Sequence, residues 1–132
     1  MSPFHTIQLS SGDFIVIHGN DNDPLHRVCL ISSDGNIVKS FGGPAVSSSR
    51  QLYVPIHMAV DRNGFVFVVD FNNGRVLLLS PTLTYVREVV TRDQLRWWPV
   101  IVRLDYRRHL YVGVNKVKDG ELVDGGVDVV NV

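Results

Sequence analysis

One cysteine, and no apolar run approaching the roughly 18 to 20 residues needed to cross a membrane, set the first limits on this sequence of 132 residues. A lone Cys29 excludes an intrachain disulfide framework and any zinc site built on several thiolates. It sits inside Val28-Cys29-Leu30-Ile31, which reads as a buried, inert thiol. Net charge is lacking too. Lys+Arg 13 balance Asp+Glu 13, so there is no bulk electrostatic attraction to nucleic acid. The opening Met1-Ser2-Pro3-Phe4-His5 does not join a basic segment to a long apolar one. The expectation is therefore a cytoplasmic chain with no membrane among its partners. No window of eleven or more residues holds a helical period.

What is present is a set of short apolar runs, rich in β-branched and aromatic residues and separated by Gly, Asn, Asp and Pro. Hydrophobic residues make up 45%, enough for the core of a single unit spanning 1–132. Strands are predicted at about 4–9, 13–18, 27–31, 36–41, 56–60, 65–69, 75–79, 85–90, 100–104, 110–114 and 127–131. They recur in register. Pro55-Ile56-His57-Met58-Ala59-Val60-Asp61 leads to Gly64-Phe65-Val66-Phe67-Val68, and Pro99-Val100-Ile101-Val102-Arg103-Leu104-Asp105 leads to His109-Leu110-Tyr111-Val112. Pro55 and Pro99 lie 44 residues apart, as do Asp61 and Asp105. A weaker first copy begins at Pro3, 52 residues before Pro55, and Arg27-Val28-Cys29-Leu30-Ile31 matches Arg75-Val76-Leu77-Leu78-Leu79 at a spacing of 48. Four strands repeating every 40 to 50 residues or so are the mark of propeller blades. The expected architecture is an all-β propeller arc with blades at about 3–43, 53–90 and 97–132, the last lacking a strand.

Pro-x-x-x-Ala-Val-Asp, then Asn-Gly-Phe-Val-Phe-Val-Val-Asp, then Asn-x-Gly-Arg-Val-x-x-Leu over 55–79 resembles the NHL repeat, found at the C-terminus of many tripartite-motif proteins. The similarity continues at 99–112, and at 3–31 it rests mainly on the strand pattern. Asp61-Arg62-Asn63-Gly64 supplies a tight turn in which Gly64 is free to take a positive φ. Asp70 and Arg75 bracket the following turn, and the resemblance implies that they pair across it. The pattern departs elsewhere: His18 stands at the first blade's Asp position and Asn115 at the third's, each followed by a longer turn.

An open arc leaves two blade faces uncovered. Relatives of this kind usually close at six blades, so one expectation is a homodimer that completes a six-bladed ring. The competing expectation is that the residues form one half of a longer propeller whose N-terminal half supplies the missing strand.

Blade connectivity places segments at about 18–27, 41–55, 70–75, 91–99 and 115–126 on one face, which the resemblance implies binds proteins or single-stranded RNA. The basic residues there are Arg27, Arg50, Arg75, Arg92, Arg96, Lys116 and Lys118; seven acidic residues match them, which favours a protein partner over RNA. Arg92-Asp93-Gln94-Leu95-Arg96-Trp97-Trp98 sets arginine beside tryptophan, the composition of interface hot spots and base-stacking platforms. Tyr53 is the repeat counterpart of Trp97; the alternative is that Trp97 and Trp98 are wedge residues between blades two and three, since Trp98 aligns with Val54. The contact residues expected are Tyr53, Arg92, Arg96 and Trp97, with Lys116 and Lys118 at the rim.

Asp21-Asn22-Asp23 lacks the Gly and distal Glu of a calcium loop. The five histidines show no metal-ligand spacing, and neither metal nor cofactor is expected. Related propellers that hydrolyse lactones or cleave peptidylglycine derivatives need carboxylates converging from inner strands. Those strands here offer His5, Gln8, His57 and Arg103, and Arg103 would repel a cation. A nucleophile elbow and a phosphate-cradling loop are both absent. The reading is a non-catalytic module for protein binding or scaffolding that self-assembles, with RNA binding by a completed ring as the alternative. An evolutionary or engineered half-propeller whose one behaviour is assembly is the third.

Overall fold

The computed structural model describes residues 3–19, 25–44, 51–95, 97–118 and 121–131. Strands β1 (Pro3–Gln8), β2 (Phe14–His18), β3 (Leu25–Ile31) and β4 (Ile37–Pro44) form one antiparallel sheet in chain order. β5 (Pro55–Val60), β6 (Val66–Asp70), β7 (Arg75–Leu79) and β8 (Tyr85–Val90) repeat it. β9 (Trp98–Leu104), β10 (His109–Lys118) and β11 (Glu121–Asn131) make a third sheet of three strands. None of these meanders closes into a barrel, and the innermost strands touch in succession, β1 with β5 and β5 with β9. The protein is an all-β arc of three propeller blades. Among the described residues the helical content is a 3-10 turn at Phe71–Asn73 and one four-residue helix, α1 (Arg92–Leu95), both too short to leave a period in the sequence. Among the described residues no helix is long and apolar enough to cross a membrane.

The middle blade explains its own sequence. Every residue of β6 and of β7 is buried, because both faces of this sheet are covered. Val66, Val68, Leu77 and Leu79 join Ile15, Ile17, Val28, Leu52 and Met58 in the core between blades one and two. Phe67, Val69, Val76 and Leu78 join Val102, Leu110, Val112 and Val114 between blades two and three. Such strands read as continuous apolar runs, without the alternation of a sheet wetted on one side.

The turn signals act as their chemistry demands. The Asp61 carboxylate accepts the Asn63 and Phe65 N–H groups at 2.8 and 3.0 Å, and Gly64 takes φ 89°. Asp105 repeats this, accepting from Arg107 and His109 at 2.9 and 2.8 Å, and the Arg108 guanidinium reaches Asp61 at 3.1 Å, joining the two turns.

One expectation is overturned. Residues 115–126 do not form a lengthened turn: β10 runs to Lys118 and β11 starts at Glu121, ten residues pairing with eleven as a ribbon. In the backbone register Lys116 pairs with Asp124 and Lys118 with Glu121. Gly125 and Gly126, which suggested a turn, lie within the strand. A Cβ on Gly126 would sit 3.3 Å from the Lys116 side chain, so glycine permits a close approach there.

Candidate functional site

The loop face is organised by one buried hub. Asp70, the last residue of β6, is fully buried. Its carboxylate accepts the Tyr53 N–H at 2.7 Å, the Asn73 amide at 2.8 Å and the Arg75 Nε at 2.9 Å. Arg75 also donates to Glu88 on β8 and to the Gln51 carbonyl, each at 2.7 Å. Burial opposes the guanidinium's charge, but the hydrogen bonds to Glu88 and Asp70 outweigh it and push the Arg75 pKa above its ordinary value. The expected Asp70–Arg75 bracket is therefore formed, and it also straps segment 51–54 onto the turn. In blade one the corresponding pair is His18 and Arg27, whose Nε donates to the His18 Nε2 at 2.5 Å.

The strap fixes Tyr53. Val54 adopts a left-handed φ of 57°, rare for a β-branched residue and held from both sides. Its N–H donates to the His26 Nδ1 at 2.8 Å, and its carbonyl accepts the Phe71 N–H at 3.1 Å. The Tyr53 carbonyl accepts the Asn72 N–H at 3.0 Å, while its ring meets His26 edge-on at 5.8 Å and stays 47% exposed.

A second cluster continues this line. Thr91 and Gln94 form a capping box that starts α1: the Thr91 N–H donates to Gln94 Oε1 at 2.8 Å and the Gln94 N–H to Thr91 Oγ1 at 3.3 Å. Buried Leu95 anchors the helix and leaves Arg92 exposed. The Arg92 guanidinium lies 5.0 Å from the Trp98 ring centre, and the Phe71 ring centre lies 5.6 Å from it, with 41° between the planes. Gly74, at φ 64°, leaves room for the Arg92 stem; a Cβ there would stand 3.2 Å from its Cγ. His26, Tyr53, Phe71, Trp98 and Arg92 thus form one ridge from blade one to blade three.

The structure gathers the expected residues unevenly. Tyr53 and Arg92 belong to the ridge. Trp97 is half-buried against the core between blades two and three, whereas Trp98, expected as the wedge, carries the arginine. Lys116 follows Asn115, the register partner of Trp98, at the base of the ribbon, and Lys118 ends β10. Arg50, Arg96 and Asp21-Asn22-Asp23 lie outside the described residues. Phe71 and His26 escaped the sequence reading; their signal was position, Phe71 directly after the hub carboxylate and His26 just before Arg27.

The inner strands build a different site. His5 on β1 and His57 on β5 stack at 4.3 Å with 16° between planes. His57 Nδ1 accepts the Val102 N–H at 3.2 Å. Burial first, then His5 and Arg103, lower the His57 pKa to about 4, and burial lowers that of His5. These rings and Arg103 border a groove of about 310 Å³ floored by Ile7, Met58, Ala59, Val60, Val102 and Leu104. Among the described residues no three His, Cys, Asp or Glu side chains group to hold a metal.

No family model and no curated protein matches the chain. Its fold is similar to the crystal structure of a protein of unknown function from Bacteroides caccae, with a TM-score of 0.57 and 10% identity over 94% of this chain. That likeness is one of fold alone. The chain spans 45% of the neighbour's length.

Proposed function

We propose that this chain is an arc of an NHL-type propeller that recognises a protein partner through its loop face and catalyses no reaction itself. The observation that carries the reading is the ridge of exposed Tyr53 and Arg92 with half-buried Phe71 and Trp98, seated on the Asp70–Arg75 hub. Aromatic and arginine side chains held in place before binding are the usual anchors of protein interfaces, because little conformational entropy is left to lose. RNA is the competing ligand, since bases stack on the same groups. Protein is favoured because Arg75 is neutralised internally by Asp70 and Glu88 and so contributes nothing to an electrostatic footprint. Completion of the ring by a second copy belongs to this reading, supported by Ile101, Val127 and Val129 standing exposed on the outer face of blade three.

The test compares immobilised protein with a Tyr53→Ala/Arg92→Ala variant shown to be folded by circular dichroism. Each is offered cell lysate and, separately, a labelled oligouridine. A protein retained by the parent and lost about tenfold by the variant supports the reading. Equal retention by both refutes the site. RNA binding that the variant loses, without a retained protein, replaces this reading with the RNA one.

A further inference from the structure

The groove along the inner strands is separate from the ridge, and its chemistry points to another ligand. Of its nine lining residues six are apolar, three are His5, His57 and Arg103, and none is acidic. An apolar floor with a few polar groups is the composition of small-molecule sites, and about 310 Å³ falls at the small end of their range. Arg103 is exposed, and among the described residues its side chain forms no hydrogen bond or ion pair. Free guanidinium therefore stands at the edge of a hydrocarbon surface.

His57 supplies a fixed donor beside it. Because Nδ1 accepts the Val102 N–H, the proton of the neutral ring resides on Nε2, which makes that nitrogen a donor. The His5 ring stacked on one side fixes the plane of His57. Among the described residues His5 Nδ1 is buried with no partner, and no carboxylate lines the groove to compensate a cation. One full positive charge and one neutral donor suit a single negative charge; a dianionic phosphate would call for more cations.

We propose that the groove binds a carboxylate carried on an apolar body, Arg103 pairing with the carboxylate, His57 Nε2–H donating to it, and Ile7, Val60 and Leu104 covering the body. The carboxylate belongs either to a small organic acid or to the end of a peptide. The assignment is independent of the loop face, since none of the ridge residues lines the groove.

The test titrates the intact chain with 4-methylpentanoate and with N-acetyl-valyl-leucine, each beside its carboxamide, while following the histidine side-chain signals by NMR. At least one acid binds, the amides do not, and saturation raises the His57 titration midpoint from about 4. Binding of the small acid alone identifies a free acid as the ligand class, and binding of the peptide acid alone identifies a chain terminus. Arg103→Gln, at an exposed position, weakens the acid about tenfold or more, and Arg87→Gln, exposed on β8 outside the groove, leaves it unchanged. Failure of both acids at millimolar concentration, equal binding of acid and amide, or full affinity in a folded Arg103→Gln protein overturns the proposal.

Discussion

Removing the carboxylate at position 70 tests whether the hub organises the loop face. In Asp70→Ala three donors lose their acceptor: the Tyr53 N–H, the Asn73 amide and the Arg75 Nε. Breaking one partner of a buried ion pair costs about 3–5 kcal/mol, because the surviving charge is left in a poor solvent. Here Arg75 keeps Glu88 at 2.7 Å and the Gln51 carbonyl, and the Glu88 side chain is 32% exposed, so part of the charge stays compensated. That argues for the lower half of the range for the ion itself. Two orphaned neutral donors add about 1 kcal/mol each. The sum is about 5–6 kcal/mol, a large share of the 5–15 kcal/mol or so that holds a domain together. Denaturant melts of Asp70→Ala, Arg75→Met and the double variant complete the cycle. Since Arg75→Met removes the charge that Asp70→Ala strands, the double variant loses less than the two singles combined, with a coupling of about 2 kcal/mol. A coupling below about 0.5 kcal/mol would refute the hub as a cooperative unit.

Three further outcomes follow from the same geometry. Gly74→Ala, at φ 64° and 3.2 Å from the Arg92 Cγ, destabilises by about 1 kcal/mol and lifts Arg92 off Trp98, changing the tryptophan emission; an unaltered spectrum contradicts the stacking. His57, lowered from 6.5 to about 4 in the folded protein, stabilises the fold fully above pH 6.5 and progressively less as the pH falls toward 4. With solvent screening at a half-buried ring the loss is about 1–2 kcal/mol; comparing urea midpoints at pH 7 and pH 4.5 with those of His57→Gln, a pH dependence that the variant retains in full removes His57 as its source. Burial, partly opposed by Arg27, pushes the Cys29 thiol up, so a thiol reagent reacts at the rate of unfolding; reaction at the rate of a free thiol in native buffer contradicts its packing.

The blades were legible because each inner strand pair carries its own local punctuation. Pro55 opens β5 and Pro99 is the second residue of β9, and Asp61 and Asp105 cap matching turns, so spacing alone exposed the repeat. The Asp70–Arg75 pair was legible for the same reason: five residues, one turn, opposite charges. The ribbon of 116–126 was not, since its glycines and charges have turn composition, and what distinguishes strand from loop there is cross-strand register, which local sequence does not carry. The choice of Trp98 over Trp97 was equally hidden. Both follow α1, and which one meets Arg92 depends on where the capping box of Thr91 and Gln94 starts the helix, a three-dimensional matter of one residue.

The two open faces of the arc are built differently from the two closed ones, and the difference bears on assembly. At the repeat position of Met58, which buries itself against blade one, blade one carries exposed Thr6 on its outer face. At the positions of Ala59 and Val69, which pack toward blade three, blade three carries Arg103 and Gly113. Each exchange removes apolar contact or adds polarity, while Ile101, Val127 and Val129 remain exposed. A contact between these faces in a second copy would bury less hydrocarbon than either internal interface, at about 25 cal/mol per Å². Two such contacts closing a ring should therefore be reversible. Light scattering on a sizing column is expected to show twice 14.8 kDa at high concentration and 14.8 kDa on dilution. Ile101→Lys, placing charge in the exposed face, should hold the protein at the lower mass throughout. A single mass of 14.8 kDa for the parent at every concentration would show that the trimmed faces are finished surfaces, and ring closure by a second copy would be wrong.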